Sequence, residues 1–203
     1  MSPGRSGTWP GCSTTPLNIC TLGGNPPATS RPLFERAGDL RRSLLGPDHP
    51  DTLESASRLS LNLFGLGHYE PARQLGEDTL TRCRQVLGND HPATLSSANS
   101  LAVTLWGLGR YEPARQLAED TLTRHRRVLG EDHPDTLRSA TILAATLGEL
   151  GRYEPARQLG EDTLTRQRRV LGEDHPETLR SATLLAAVLA NPGEDDPVRR
   201  REG

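Results

Sequence analysis

The sequence predicts an all-α protein, an α-solenoid of stacked antiparallel helix hairpins, on three observations. One short stretch returns four times: "DHPDTL" at 48–53, "DHPATL" at 90–95, "DHPDTL" at 132–137 and "DHPETL" at 174–179. Its histidines stand at 49, 91, 133 and 175, a step of 42 residues each time, and self-similarity at one fixed period is the signature of a repeat array. Each period also holds two amphipathic stripes at helical spacing, and each stripe ends at a glycine.

The elements follow in order. Residues 1–31 are rich in Pro, Gly, Ser and Thr, a composition that buries too little apolar surface to offset chain entropy, so disorder is expected there. Residues 32–47, "PLFERAGDLRRSLLGP", read as a worn copy of the second helix of a repeat, ending in Leu45-Gly46 as later copies end in Leu87-Gly88. Three full units follow at 48–89, 90–131 and 132–173, then the first helix of a truncated fourth at 174–191 and a disordered tail at 192–203. Within the third unit, Leu137, Ala140, Leu143, Ala144, Leu147 and Leu150 form the stripe of a helix A that stops at Gly151, where a left-handed residue is wanted. Pro155 then opens helix B, whose stripe is Ala156, Leu159, Thr163, Leu164, Val170 and Leu171, closed by Gly172. The turn between them allows only antiparallel packing. Neither helix buries its stripe alone, so hairpins must stack.

"DHPDTL" is punctuation on this reading. Asp132 is expected to cap helix A, Pro134 to sit in its first turn and Asp135 to face the positive helix end. His133 packs in the corner between helices and bonds to backbone. A metal site is excluded on distance: neighbouring helices lie about 8 to 10 Å apart, whereas zinc ligands lie about 2 Å from one ion.

Composition removes other classes. All 24 basic residues are arginine, which excludes a Schiff-base lysine and the lysine of a phosphate-binding loop. Cys12, Cys20 and Cys83 form no disulfide or metal framework, and Cys83 becomes His125 and Gln167 in the next two units, the mark of a semi-buried filler. No stretch approaches the roughly 20 apolar residues of a membrane span. A soluble, reduced, cytoplasmic protein is expected. Asp78 and Arg82, Asp120 and Arg124, and Asp162 and Arg166 stand four apart on helix B, a solvated face. With acids interleaved among the arginines and a net charge of −2, no nucleic-acid partner is expected. No nucleophile, base and orienting group converge in the sequence, so no catalytic residue, cofactor or metal ligand is assigned.

The packing residues Leu143, Ala144, Leu147, Tyr153 and Ala156 recur as Leu59, Ser60, Leu63, Tyr69 and Ala72 and as Leu101, Ala102, Leu105, Tyr111 and Ala114. This pattern resembles the tetratricopeptide repeat, and the 42-residue period with "LGEDHPDTL" at its junction resembles the kinesin light chain variety, over about residues 32–190. The resemblance implies a right-handed solenoid whose helix A lines a concave groove. Groove positions then fall on Leu61 and Phe64, on Asn99, Val103 and Trp106, and on Arg138, Thr141 and Arg180. Phe64 and Trp106 occupy one repeat position on consecutive A helices, flanked by Leu61 and Val103, so the four are expected to form one apolar patch. Asn99 is placed to bond a peptide backbone, and Arg138 and Arg180 to meet acidic side chains.

The function expected is therefore a non-enzymatic interaction scaffold that binds a protein or peptide segment with an apolar anchor followed by Asp or Glu. The second reading is a structural or regulatory array, the sensor part of a larger bacterial signalling system, acting through repeat stacking. The fourth helix A lacks its helix B, so the chain reads as a segment of a longer array or a decayed copy. Self-association through this uncapped end is expected at Leu185, Val188 and Leu189.

Overall fold

The computed structural model describes residues 27–190, with side chains from residue 36 onward. Eight helices follow one another among the described residues: α1 Pro27–Leu45, α2 Pro50–Gly65, α3 Tyr69–Leu87, α4 Pro92–Gly107, α5 Tyr111–Leu129, α6 Pro134–Glu149, α7 Tyr153–Leu171 and α8 Pro176–Leu189. The disorder expected for residues 1–26 and 192–203 lies outside the described residues. At 27–31 the expectation is corrected, because α1 already runs from Pro27. A proline at the first helical position gives up no hydrogen bond.

Each helix packs on its chain neighbours. The even helices α2, α4, α6 and α8 also pack on one another in series, whereas the described residues of the odd helices make no mutual contact. The even helices therefore line the inner rim of the stack and the odd helices its outer rim. This is the arrangement the two stripes per repeat require, since each helix finds its apolar cover in the hairpin before or after it.

Two kinds of glycine set the turns. Gly151 has φ +73°; its N–H donates to the Gly148 carbonyl (3.0 Å) and the Arg152 N–H to the Leu147 carbonyl (2.9 Å). This is a Schellman closure of α6, and the left-handed residue it needs is glycine. Gly130, at the end of α5, has φ +86° and ψ 168°, a region that side chains other than hydrogen essentially never enter.

The junction motif does more than the sequence suggested, and one assignment changes. The cap of α6 is His133, not Asp132: its backbone is extended, and the Asp135 N–H donates to His133 Nδ1 at 3.2 Å. His49, His91 and His175 cap their helices in the same way. Asp132 instead reaches outward to the next helix B, accepting from Arg166 Nη1 (3.0 Å) and Arg169 Nη2 (2.7 Å). Pro134 is the first residue of α6 and Asp135 lies in its first turn. The Thr136 hydroxyl donates to the Gly130 carbonyl at 2.7 Å, tying the new helix to the end of the old one. Leu137 then enters the core. Every residue of the motif has a mechanical task.

Cys83, His125 and Gln167 are fully buried, which corrects their reading as semi-buried filler. They sit at a polar seam between repeats, where Cys83 and His125 meet the following helix A and Gln167 reaches back to the helix A of its own hairpin. His125 Nδ1 lies 2.8 Å from Ser139 Oγ, and Asn99 Nδ2 donates to the same oxygen at 2.8 Å. One junction later, Gln167 Nε2 donates to Thr141 Oγ1 at 3.5 Å, and Thr141 Oγ1 lies 2.9 Å from Ser181 Oγ. A buried polar atom costs little only when partnered; His125 and the Gln167 amide nitrogen each meet a hydroxyl, while Gln167 Oε1 is buried without a partner.

Two outcomes follow from the cap and the seam. Replacing His133 by Ala removes an acceptor for an end-of-helix N–H and is expected to lower unfolding stability by about 1 kcal/mol, with His133→Asn retaining most of it; urea melts check this. Burial holds the His125 imidazole below the ordinary histidine range, with the Asp135 charge opposing and His133 and Arg138 adding to the depression. The unfolded chain then takes up the proton first as pH falls below about 6.5, so stability drops from there downward. Thermal melts at about pH 7.5 and about pH 5.5, on either side of that value, are expected to differ less in His125→Gln, the residue that position 167 already carries.

Candidate functional site

The inner rim is built from the residues of α2, α4, α6 and α8 that point away from the odd helices. Leu61 is half-buried. Phe64, expected to stand open beside it, is 2 % exposed, and this is a correction. Its ring sits against the backbone of Gly107 in the next inner helix, where an added Cβ would lie only 2.0 Å from Phe64 Cε2. The other side of the ring meets Tyr69, with centroids 5.2 Å apart and planes tilted by 54°. Phe64 is thus a peg between repeats whose slot exists because position 107 has no side chain.

Val103 is buried in the same apolar cluster as Phe64, with Leu61 packed against it, while Trp106 belongs to a second cluster with Leu80, Ala98, Leu101, Leu105 and Ala114. The expected single patch of four is therefore divided. In the next repeat the position of Gly107 is Glu149, and Trp106 is only partly buried, with its indole Nε1 enclosed and without a partner. Asn99 is also corrected: it is buried, and its side-chain amide is engaged with Ser139. Thr141 is half-buried and donates to the Leu137 carbonyl at 3.0 Å. Arg180 is tied to Glu177 at 3.1 Å. Arg138 is half-exposed on the inner face of α6. The residues that keep accessible surface on the rim are thus Leu61, Trp106, Arg138, Thr141 and Arg180.

Nothing in the repeat pattern announces that His125, Ser139 and Asn99 come together. A serine hydroxyl 2.8 Å from an imidazole has the spacing of an activated nucleophile. Here all three side chains are buried between α4, α5 and α6, and the Ser139 hydroxyl is already engaged by both of its neighbours. The trio holds two repeats together. Among the described residues no group of three His, Cys, Asp or Glu side chains is placed to hold a metal ion, and no helix is long and apolar enough to cross a membrane.

On the outer rim the arginines read as solvated surface do a second job. Arg124 Nε donates to Asp120 on its own helix (2.9 Å), and its Nη1 donates to Asp90 of the preceding junction (3.1 Å). Arg166 repeats this with Asp162 and Asp132, and Arg82 with Asp78 and Asp48 at 3.4 and 3.7 Å. The hydrogen bond from Arg124 holds the Asp90 carboxyl below the usual carboxylate range, and Arg166 does the same for Asp132. The signal was present in the sequence as an Asp and an Arg 34 residues apart in every period.

A cleft of about 230 Å³ opens at the N-terminal end between α1, α2 and α3, lined by Gly38, Asp39, Arg42, Thr52, Ser55 and Leu75. Gly38 stands where α3, α5 and α7 place Leu80, Leu122 and Leu164. A Cβ built on it meets nothing within 4 Å, so the cleft is the space of a missing leucine.

The comparisons with known proteins agree with this architecture. The family model of the tetratricopeptide repeat matches at residues 27–51, 52–93, 94–135 and 136–177. Comparison with curated proteins finds no match. Among solved structures, a Podosopora anserina protein described as a kinesin light chain with nearly identical TPR-like repeats is 25% identical. It aligns with a TM-score of 0.66 over 86% of this chain and 82% of that one. BtubC (BKLC) from P. vanneervenii aligns with a TM-score of 0.67 at 18% identity, over 83% of this chain and 67% of that one, a likeness of fold. Eight helices in stacked hairpins, a 42-residue junction motif and four consecutive matches to one repeat model show that the chain belongs to the tetratricopeptide repeat family, whose fold is that of a protein-interaction scaffold.

Proposed function

We propose that the chain is a non-enzymatic scaffold that holds a partner segment along the inner rim of its even helices. The observation that carries the reading is the contrast between Phe64 and Trp106. They share a repeat position, yet the first is 2 % exposed against Gly107 while the second is only partly buried, with its indole Nε1 enclosed and without a hydrogen-bond partner. A half-open tryptophan on a concave surface is the kind of residue that anchors interfaces. Arg138 supplies a cation about ten repeat positions nearer the helix N-termini, about 15 Å away along the helix axis at about 1.5 Å per residue. An extended chain rises about 3.3 Å per residue. The fitting partner is then a segment with a large apolar side chain and an Asp or Glu about five residues from it. Leu61 and Arg180 extend the rim on either side. A buried free thiol at Cys83 suits a reducing compartment, and we place the scaffold in the cytoplasm.

A second reading is favoured by a different observation. The last helix, α8, carries an apolar stripe that no described residue covers, as expected of a structural or regulatory array that works by stacking, within a larger bacterial signalling system.

Selection from a displayed library of random peptides tests the groove. The enriched peptides are expected to carry the anchor and acid at that spacing. Trp106→Ala should weaken them by about 2 kcal/mol or more while helical circular dichroism is kept. Arg138→Glu should weaken them mainly at low salt, since an exposed charge acts largely through screened attraction. Binding untouched by both changes moves the site to the outer rim.

A further inference from the structure

The stack is short of apolar cover in two places. One is α8, where the sequence-based expectation of self-association through Leu185, Val188 and Leu189 is corrected: Leu185 and Val188 are buried, and only Leu189 is open. Leu185 Cδ1 comes within 3.1 Å of a Cβ built on Gly160, and Val188 Cγ2 within 3.2 Å of one built on Gly148. The other place lies inside the stack, in the cleft that α1, α2 and α3 enclose at Gly38. In α3 and α5 the equivalents of Gly38 are Leu80 and Leu122, both buried. Leu80 packs with Ala98 and Leu101, and Leu117 closes on that cluster; Leu122 repeats the packing one unit later. The equivalents of those walls around the cleft are Ala56, Leu59 and Leu75. The walls are present, the leucine is absent, and a Cβ built on Gly38 meets nothing within 4 Å. The molecule thus shows twice what this shape holds, which is one leucine side chain.

The mouth of the slot differs from its counterparts as well. Where the later outer helices carry Thr81, Thr123 and Thr165, each three residues before an arginine, α1 carries Asp39 before Arg42. Both line the cleft. Their charged groups stand 3.8 Å apart and are mostly exposed, so the pair stabilises little and each charge keeps capacity for a ligand. Within the lining, Thr52 Oγ1 is buried without a partner, whereas Thr94 and Thr136 donate theirs to the Gly88 and Gly130 carbonyls. Thr178 shares that lack, but the outer helix before it carries Thr165 in place of Asp39. The other hydroxyl of the lining, Ser55, is taken up by the Asp51 carbonyl and by Arg41.

We infer that the cleft takes a free aliphatic α-amino acid of leucine size, with its side chain in the slot left by Gly38, its carboxylate on Arg42 and its ammonium on Asp39. The slot selects the side chain, because the same walls close on Leu80 and Leu122. The mouth selects the head group: in an α-amino acid both charges hang on one carbon, about 2.5 Å apart for bonds of about 1.5 Å, so one molecule meets both members of the pair. A leucine inside a peptide brings neither charge. The buried Thr52 hydroxyl adds a donor with no acceptor of its own. The size agrees, since about 230 Å³ falls below the about 300 to 1,000 Å³ of sites for drug-sized ligands. This site shares no residue with the inner-rim reading, and neither depends on the other.

The test is titration of the full chain with L-leucine, followed by calorimetry and ligand-detected NMR. The wild type is expected to bind it saturably at one site per chain. Gly38→Leu should abolish binding and raise the melting temperature, because its own side chain then fills the slot; circular dichroism checks that the helices are kept. Arg42→Gln and Asp39→Asn, both at exposed positions, should each raise the dissociation constant about tenfold, the loss of one charge-assisted contact. Isocaproate keeps the side chain and the carboxylate and should bind more weakly than leucine, whereas glycine keeps both charges and should not bind. A titration with no saturable binding at millimolar L-leucine, or binding unchanged in Gly38→Leu, overturns the site. N-acetyl-leucinamide bound as tightly as leucine overturns the amino acid as the ligand and makes the cleft a socket for a leucine of a partner protein.

Discussion

Everything in this molecule depends on how closely one helix can approach the next. At the centre of each hairpin stands an alanine with essentially no exposed surface, Ala72, Ala114 or Ala156, and between hairpins Gly76, Ala118 and Gly160 face the next inner helix. A Cβ built on Gly76 or Gly160 would already lie 3.2 or 3.1 Å from the Cδ1 of Leu101 or Leu185. At such distances there is no room for a larger residue without moving a helix, and dispersion contacts are close to their optimum. The large residues are the complement of these small ones: leucines fill what the alanines leave, so neither set is meaningful alone. A helix of this chain has no stable place except against its neighbours, and the charged outer rim and the capped junctions only refine a geometry the small residues have fixed.

The junctions show how that geometry is made repeatable. A glycine with positive φ ends helix B, a histidine ring caps the next helix, a proline supplies its first residue, and a threonine hydroxyl binds back to the glycine carbonyl. These groups fix the angle between successive hairpins locally. The arginines of helix B fix it a second time from outside, each bridging an aspartate of its own helix to one of the preceding junction. Exposed ion pairs are individually weak. Here each arginine holds two carboxylates in one geometry, which gives the outer rim a defined spacing where no helix contact exists among the described residues.

The repeat and its helix hairpins were legible in the sequence because period and amphipathic spacing are one-dimensional properties; the start of helix B was not, since α7 begins at Tyr153, two residues before Pro155. Leu137 and Ala144 announce a buried stripe without any knowledge of what buries it. The assignment of the cap was not legible in the same way: Asp132 and His133 are adjacent, and only the backbone shows that the ring nitrogen receives the Asp135 N–H while the carboxylate points to Arg166. The rim residues failed for a deeper reason. Whether Phe64 lies open or sealed depends on residue 107, in the next repeat, and on its being glycine. Asn99 likewise reads as a free amide until Ser139 and His125 are placed around it. A residue's repeat position tells which helix it faces, and the partner's side chain decides whether any surface is left.

That distinction bears on how near-identical repeats can carry specificity at all. The A and B helices of successive units are almost interchangeable in sequence, so a stack held by leucines alone would tolerate one unit in another's place. The buried seam differs at every junction: Cys83 beside Ser97, His125 with Ser139 and Asn99, Gln167 with Thr141 and Ser181. Exchanging two units would change which polar side chain meets which hydroxyl at a buried seam, where each unpartnered polar atom costs about 1 to 3 kcal/mol. The same comparison explains why the inner rim is not uniform. Phe64 is sealed because the residue opposite it, Gly107, has no side chain, whereas Trp106, at the same repeat position, is only partly buried. Variation between repeats therefore sets both the buried seam and how much of each inner-rim side chain is left exposed.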